Sequence, residues 1–387
     1  MPTAQNKPKQ LLLIGGGHTH ALVIKMWAEK PLKDVKLTLI SNAKDTPYSG
    51  MLPGLISGHY SHEQTHIDLA ALCKWAKIEF ICTSISTIDT NNKQVLTTDQ
   101  HTIDYDIVSI NTGSTPNIQQ TPGALAYATP VKPISVFYKK WLELKQSMLQ
   151  ATQPLDIALV GAGAGGFELI TAIEHIWRTT LSKQNTAGAA VVSHNFHWVI
   201  SGQSPLNGHN KAVQKQALAI CKKRQINVHL NFSVAKVSAD QLLSTNNQLI
   251  NIDQVLWCTR ASAPQWPKDA NLATDNLGFI AINNYLQSTS DPCVFAAGDV
   301  ATQISHPRPK AGVFAVRQAP ILFHNLRHAI VNKPLKAHIP QRQFLSLLAT
   351  GDKAAIASRG VFSLSAKWLW HWKNYIDNRF MALFKDL

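Results

Sequence analysis

PLDIALVGAGAGGFELI, running from Pro154 to Ile170, decides the fold. A short apolar run enters a turn of closely spaced glycines, and an apolar-periodic segment leaves it, which reads as strand, turn and helix. Gly161, Gly163 and Gly166 complete the spacing G-x-G-x-x-G. The first glycine of that pattern permits a tight turn and the second lets the backbone approach a pyrophosphate. The third brings helix and strand close together, and the helix N-terminus turns free N–H groups and a positive dipole towards the anion. Glu168 follows two residues after the last glycine.

The same grammar stands 146 residues earlier in KQLLLIGGGHTHALVI, Lys9 to Ile24. Gly15 and Gly17 take the first two places, His18 and Thr19 lie inside the loop, and His20 stands where the third glycine belongs. A side chain there predicts looser packing of helix on strand. Each turn is followed by a second strand, VKLTLI (Val35 to Ile40) and FHWVIS (Phe196 to Ser201). Each block closes on a strand running into a polar turn, YDIVSINTGSTP (Tyr105 to Pro116) and DQVLWCTRASAP (Asp253 to Pro264). Strands alternating with helices imply a parallel, doubly wound sheet. The fold class is therefore α/β, with two Rossmann-like dinucleotide-binding domains in tandem. A carboxylate on the second strand end would select NAD over NADP. Ser41 and Asn42 occupy that place in the first unit and Ser201 to Gln203 in the second. The choice between NADH and NADPH stays open, as does loss of nucleotide binding at the second turn.

The rest of the chain narrows the function class. With 387 residues, 45% hydrophobic and 16% charged, the composition is globular. No apolar run reaches the roughly 18 residues of a membrane span, and the polar start MPTAQNKPKQ leaves no room for a signal peptide. These features predict a cytoplasmic protein. The polar run Lys183 to Gly188 is the nearest thing to a linker. Five widely spaced cysteines, without C-x-x-C or C-x4-C, suit reduced thiols rather than a redox-active disulfide. Among sixteen histidines, His59, His62 and His66 have helix-like spacing, but no carboxylate joins them, so no metal site is expected. The net charge of +14 includes nine Lys/Arg against three Asp/Glu from Val331 onward, yet no nucleic-acid motif accompanies it.

GGGHTH, NTGSTP, GAGAGG and VFAAGDV together resemble the two-dinucleotide-binding-domain flavoproteins of the pyridine nucleotide-disulfide oxidoreductase superfamily. That group includes NADH:quinone, sulfide:quinone and ferredoxin reductases. The resemblance implies a discontinuous FAD-binding domain (residues 1–125 and 285–335), an inserted NAD(P)-binding domain (126–284) and a C-terminal extension (336–387). It implies FAD as cofactor and NADH or NADPH as co-substrate. Gly15, Gly17, His18, Thr19, His20, Thr112, Gly113, Gly298 and Asp299 then fall to FAD, with Asp299 on the ribityl chain. Gly161, Gly163 and Gly166 fall to the nicotinamide nucleotide.

Three catalytic candidates follow from the same resemblance. Glu168 sits where related quinone reductases carry a glutamate between flavin and nicotinamide; otherwise it is a helix N-terminal charge. Lys310, near the start of a helix aimed at the flavin, would stabilise the reduced ring, and Gln318 would face the acceptor pocket. For both, a plain surface or helix role is the alternative. Tyr48, in the loop Pro47 to Pro53, is the candidate for stacking on the isoalloxazine, or a turn aromatic that merely packs.

TPYSGMLPGLISGHY, HIDLAALCKWA, PKAGVFAVRQAP, TGDKAAIASRG and WLWHWKNYIDNRFM resemble more closely the flavoprotein modules joined to selenide, water dikinase. The implied activity is an NAD(P)H dehydrogenase passing a hydride to FAD and on to an acceptor, first of all a quinone. The alternatives are a soluble reductase of a small sulfur or selenium compound and a non-enzymatic flavin-holding sensor or scaffold. In AKWLWHWKNYIDNRFMALF, Trp368, Trp372, Tyr375 or Ile376, Phe380 and Phe384 recur at near-helical spacing among basic residues. Residues 367–385 therefore read as a peripheral membrane contact on the inner face, or as a face packed on the FAD domain or on a second copy of the chain.

Overall fold

A computed structural model describes residues 7–181, 192–385 and 387, so the run Lys183 to Gly188 lies outside the described residues. Two five-stranded parallel sheets carry the chain. In the first, Lys9–Ile14 stands at the centre. Val35–Ser41 and then Glu79–Cys82 lie on one side, Ile107–Ile110 and then Val294–Ala296 on the other. The second repeats the order around Asp156–Val160, with Asn195–Val199 and Asn227–His229 on one side and Gln254–Trp257 and Ala128–Pro130 on the other.

The central strands are buried on both faces, which is why they read as unbroken apolar runs rather than alternating ones. Leu11, Leu12, Leu13 and Ile14 are all buried, as are Ile157, Ala158, Leu159 and Val160. Each central strand runs into its glycine turn and then a helix, His18–Glu29 in the first unit and Ala164–Ile176 in the second. Each unit also carries a three-stranded antiparallel sheet: Ile85–Asp89, Gln94–Thr97 and Thr102–Asp104, against Val234–Val237, Gln241–Ser244 and Leu249–Asn251. A short antiparallel pair, Thr115–Pro116 with Ala261–Ser262, ties the units together beside their clefts.

The helix expected near Lys310 spans Gly312–Ile330 and packs against the first glycine helix. Beyond it, Ser346–Ala349, Ala355–Arg359 and Phe362–Ala366 form an antiparallel sheet that leads into the tail helix Lys367–Met381. Among the described residues, no helix is long and apolar enough to cross a membrane.

Candidate functional site

The first glycine turn opens on a cleft of about 400 Å³, lined by Gly15, Gly17 and His18, by Thr112 and Gly113, and by Gly298 and Asp299. Its shape depends on Asn111, a buried side chain between three turns. The Asn111 Nδ2 donates to the carbonyl of Ala297 (2.7 Å), and its Oδ1 accepts from the backbone N–H of His20 (3.3 Å). The backbone N–H of Gly17 donates to the Asn111 carbonyl (3.3 Å). An added Cβ would stand 2.6 Å from Asn111 O at Gly15, 2.2 Å from Asn111 Oδ1 at Gly17 and 2.5 Å from Asn111 Nδ2 at Gly298. No side chain fits these three positions, and the backbone is left bare towards the cleft, which suits the close approach of a dinucleotide. Gly312 and Ala315, in the first turn of the helix Gly312–Ile330, line the same cleft, so that helix presents its N-terminus there.

The second turn opens on a cleft of about 730 Å³ lined by Gly161, Gly163, Gly166, Glu168, Ser201 and Asn207. Gly161 has φ of +144°, and a Cβ there would lie 2.0 Å from the carbonyl oxygen of Cys258. Glu168 accepts a hydrogen bond from the backbone N–H of Ala349 (2.8 Å). Withdrawal from water pushes its carboxyl up to about 7, against the opposing pull of Lys373 and that hydrogen bond.

The two clefts share Ser49, Thr115, Lys132 and Ile134. Lys132, absent from the sequence expectations, is the charged residue among these four. Its ammonium bonds Asp299 Oδ2 (2.9 Å) and Ser114 Oγ (3.3 Å) at the seam.

Four expected site residues face elsewhere, and a fifth, Lys310, is held by neighbours of its own. Thr19 is buried with its hydroxyl donated to Ala315 O (2.9 Å) and does not line the cleft. The His20 ring is also fully buried, bridging Gly15 O (2.7 Å) and Ser109 Oγ (2.9 Å), and burial lowers its pKa to about 4. It fills the gap that a glycine would close. Tyr48 turns from the first cleft and stacks on Phe380 of the tail helix at 4.6 Å between ring centroids, its hydroxyl on Asp377. Gln318 uses its Oε1 to accept the Gly298 N–H (2.7 Å), so it supports the turn that presents Asp299. Lys310 donates to Ala301 O (2.5 Å) and Thr302 Oγ1 (2.9 Å) with its ammonium 3.9 Å from the Phe279 ring centroid. Burial lowers its pKa to about 8. It lines the second cleft, but its donors are already engaged.

Residues 9–319 match the family described as pyridine nucleotide-disulphide oxidoreductase. The chain belongs to that family. Among curated relatives, it is 23% identical over 381 residues to the NADH dehydrogenase-like protein YutJ of Bacillus subtilis, covering 95% of this chain and 99% of that one. It is 27% identical over 203 residues to the type II NADH:quinone oxidoreductase of Haemophilus influenzae, covering 50% and 44% of the two chains. Among solved structures it resembles the sulfide:quinone oxidoreductase of Aquifex aeolicus, with TM-score 0.79 and 19% identity over 98% of this chain and 92% of that one. It also resembles NDH2 from Plasmodium falciparum in complex with NADH, with TM-score 0.77 and 14% identity over 96% and 98%.

This oxidoreductase lacks the disulfide of the family description, since all five cysteines are free. Its tail helix packs beside the first cleft, where the Phe380 ring meets that of His18 edge-on. Lys373 donates to Gly50 O (2.6 Å) and pairs with the buried Asp377 (2.6 Å), while Tyr60 donates to Asn374 Oδ1 (2.8 Å). The apolar residues of the tail divide between two faces. Phe380 and Phe384 pack inward, while Trp368, Trp372, Tyr375 and Ile376 are 55%, 42%, 62% and 42% exposed.

Proposed function

We propose that this oxidoreductase holds FAD in the first cleft, takes NADH or NADPH in the second, and delivers the electrons to a quinone. The observation that carries the reading is that the two glycine-turn clefts join at Ser49, Thr115, Lys132 and Ile134. Dinucleotides seated on both turns would bring their reactive rings to one seam. When bound, FAD supplies the two-electron chemistry that no side chain of this protein provides.

The chain's own residues position and polarise. Gly15, Gly17, Thr112, Gly113 and Gly298 supply the bare backbone for FAD, His18 borders the loop, and Asp299 offers its carboxylate to the ribityl hydroxyls. Lys132 holds that carboxylate in place through their 2.9 Å pair. Gly161, Gly163 and Gly166 receive the nicotinamide nucleotide's pyrophosphate. Glu168, with its carboxyl near 7, can hold or release a proton at the second cleft at neutral pH. Without a carboxylate after Val199, nothing at that strand end repels a 2′-phosphate, so both nucleotides are admitted. Free cysteines leave no internal dithiol relay, so the acceptor must approach the cofactor directly. The exposed Trp368, Trp372, Tyr375 and Ile376 suit a membrane interface where quinones reside.

Anaerobic absorbance of the purified protein, before and after NADH and then NADPH, tests the reading. Bleaching of bound flavin, with recovery on adding a soluble quinone, is the expected result. Bound flavin that neither nucleotide bleaches would sink the dehydrogenase. Recovery only with a small sulfur or selenium compound would instead give the acceptor class suggested by the dikinase-linked resemblance. Sedimentation with anionic liposomes, lost in Trp368→Ser/Trp372→Ser, tests the tail.

A further inference from the structure

The hairpin beside the first cleft brings together three side chains that no glycine-turn chemistry uses. Asp45 lies on the strand Asp45–Pro47, which pairs antiparallel with His66–Asp68. Pro47 stands opposite His66 and Asp45 opposite Asp68, so Asp45 and His66 are diagonal neighbours on one face of the pair. His62 and His66 are four residues apart on a turn capped by Ser61, and their rings stack at 3.6 Å between centroids with 13° between planes. One nitrogen from each histidine and a carboxylate oxygen of Asp45 lie within 4.8 Å of one another.

The chemistry of each donor suits a cation. The His66 Nδ1 stands 2.9 Å from the carbonyl of His62. With the proton on Nδ1, which the His62 carbonyl and the Thr65 hydroxyl (3.0 Å) both accommodate, Nε2 keeps its lone pair, the arrangement typical of a metal-ligating histidine. The Asp45 carboxylate takes no hydrogen bond among the described residues. His62 is exposed, and it leaves one side open to water.

From these three residues we infer a binding site for a Zn2+-class transition-metal cation, with two imidazoles, one carboxylate and a water in the fourth position. Two nitrogens and a single carboxylate favour such an ion over Mg2+ or Ca2+, which take oxygen-rich shells. Tetrahedral zinc separates its ligand atoms by about 3.4 Å and lies in the plane of each ligating ring, so closing the site requires the exposed His62 ring to swing out of its stack on His66. The sequence spacing concealed the site because its carboxylate comes from another strand.

The hairpin gives the cation a way to act. Asp45 and Pro47 both line the first cleft, and the Pro47 carbonyl stands 3.0 Å from His18 Nε2. A metal bridging Asp45 to His62 and His66 would pin that strand and alter access to the cleft.

The molecule contains its own control. His324 and His328 are also four residues apart, with rings 3.9 Å apart and the His328 Nδ1 on a backbone carbonyl, that of Pro334. Among the described residues no carboxylate completes a ligand group there.

The test uses full-length protein as purified, stripped with a chelator and titrated with Co2+ and then Zn2+. The expected result is one equivalent of Co2+ with the intense visible bands of a tetrahedral centre, displaced by Zn2+. His62→Ala and His66→Ala should each weaken Zn2+ binding by about tenfold or more. Zn2+ should raise the thermal midpoint of the parent and not that of His66→Ala, which separates lost binding from lost folding. The double variant His324→Ala/His328→Ala should bind as the parent does. No Co2+ uptake at submillimolar concentration, unchanged binding in His62→Ala and His66→Ala, or loss of binding in the His324/His328 variant would each overturn the assignment. A second readout rests on the proposed function: Zn2+ should change the rate at which nucleotide bleaches the flavin in the parent but not in His62→Ala. If nucleotide fails to bleach the flavin while Co2+ still binds, the function falls and the metal site stands.

Discussion

In the first glycine turn the buried His20 ring, on Gly15 O and Ser109 Oγ, stands where the third glycine would be. In the second the helix lies on the turn itself, where a Cβ at Gly166 would come 2.3 Å from Gly161 O. The residues behind the two turns occupy equivalent places. Asn111 donates its backbone N–H to Ile14 O, and Cys258 donates its own to Val160 O. Their side chains do different things. Asn111 ties the turn to Ala297 and so to Gly298 and Asp299, whereas the half-buried Cys258 thiol makes no such tie. The first cleft is thus braced by buried polar bonds from three chain segments. The second is larger, about 730 Å³ against 400 Å³, and less braced.

Asn111→Leu should produce the largest effect, because it leaves several buried polar groups without partners at once. Unfolding free energy should fall by roughly 3–5 kcal/mol and the protein should be purified without flavin. Denaturant melts and the absorbance of the purified protein would show both. A variant that keeps its flavin and its midpoint would break the contrast between the two clefts.

His20 should make the first unit acid-sensitive. Its folded pKa is lowered from 6.5 to about 4, so the folded state binds fewer protons than the unfolded state between those values. The stabilisation is fully present above pH 6.5 and is lost as pH falls towards 4. The integrated loss is about 3 kcal/mol, and denaturant midpoints measured across that window should be flatter in His20→Gln.

The smallest change sharpens the comparison most. Gly17 and Gly163 hold the same place in the two turns, yet a Cβ at Gly17 meets Asn111 Oδ1 at 2.2 Å while one at Gly163 meets nothing within 4 Å. Gly17→Ala should cost about 1–3 kcal/mol and weaken flavin retention. Gly163→Ala should change stability by less than about 0.5 kcal/mol and raise the nucleotide KM with flavin content unchanged. Equal effects at both positions would show the two turns to be the same device.

Much of the fold was legible because its signals are local. Strand periodicity, glycine spacing and the repeat at 146 residues are written in short windows, and the two parallel sheets follow them. The lining of the clefts was legible for the same reason wherever glycine was the signal, since a bare backbone is specified by residue type alone. Side chains were less legible. Tyr48 was expected on the isoalloxazine and Gln318 at the acceptor pocket, but which way each points depends on Phe380, Asp377 and Gly298, away in sequence. Asn111 stands in NTGSTP beside Thr112 and Gly113, but its role depends on the carbonyl of Ala297, far along the chain.

The tail shows the same divide within one helix. Its aromatic spacing predicted a single amphipathic stripe, but the structure splits that stripe between an inward pair and an exposed Trp face. Lys132 and Asp45 complete the pattern. Neither stands in a motif, and each gains its meaning from residues at least seventeen positions away: Lys132 from Asp299, Asp45 from His62 and His66. The sequence by itself determined the two turns, the order of elements and the family, because backbone conformation and hydrophobic period are local properties. Only the tertiary structure decided which charges meet at the seam and beside it, because packing, not spacing, sets the partner of a side chain.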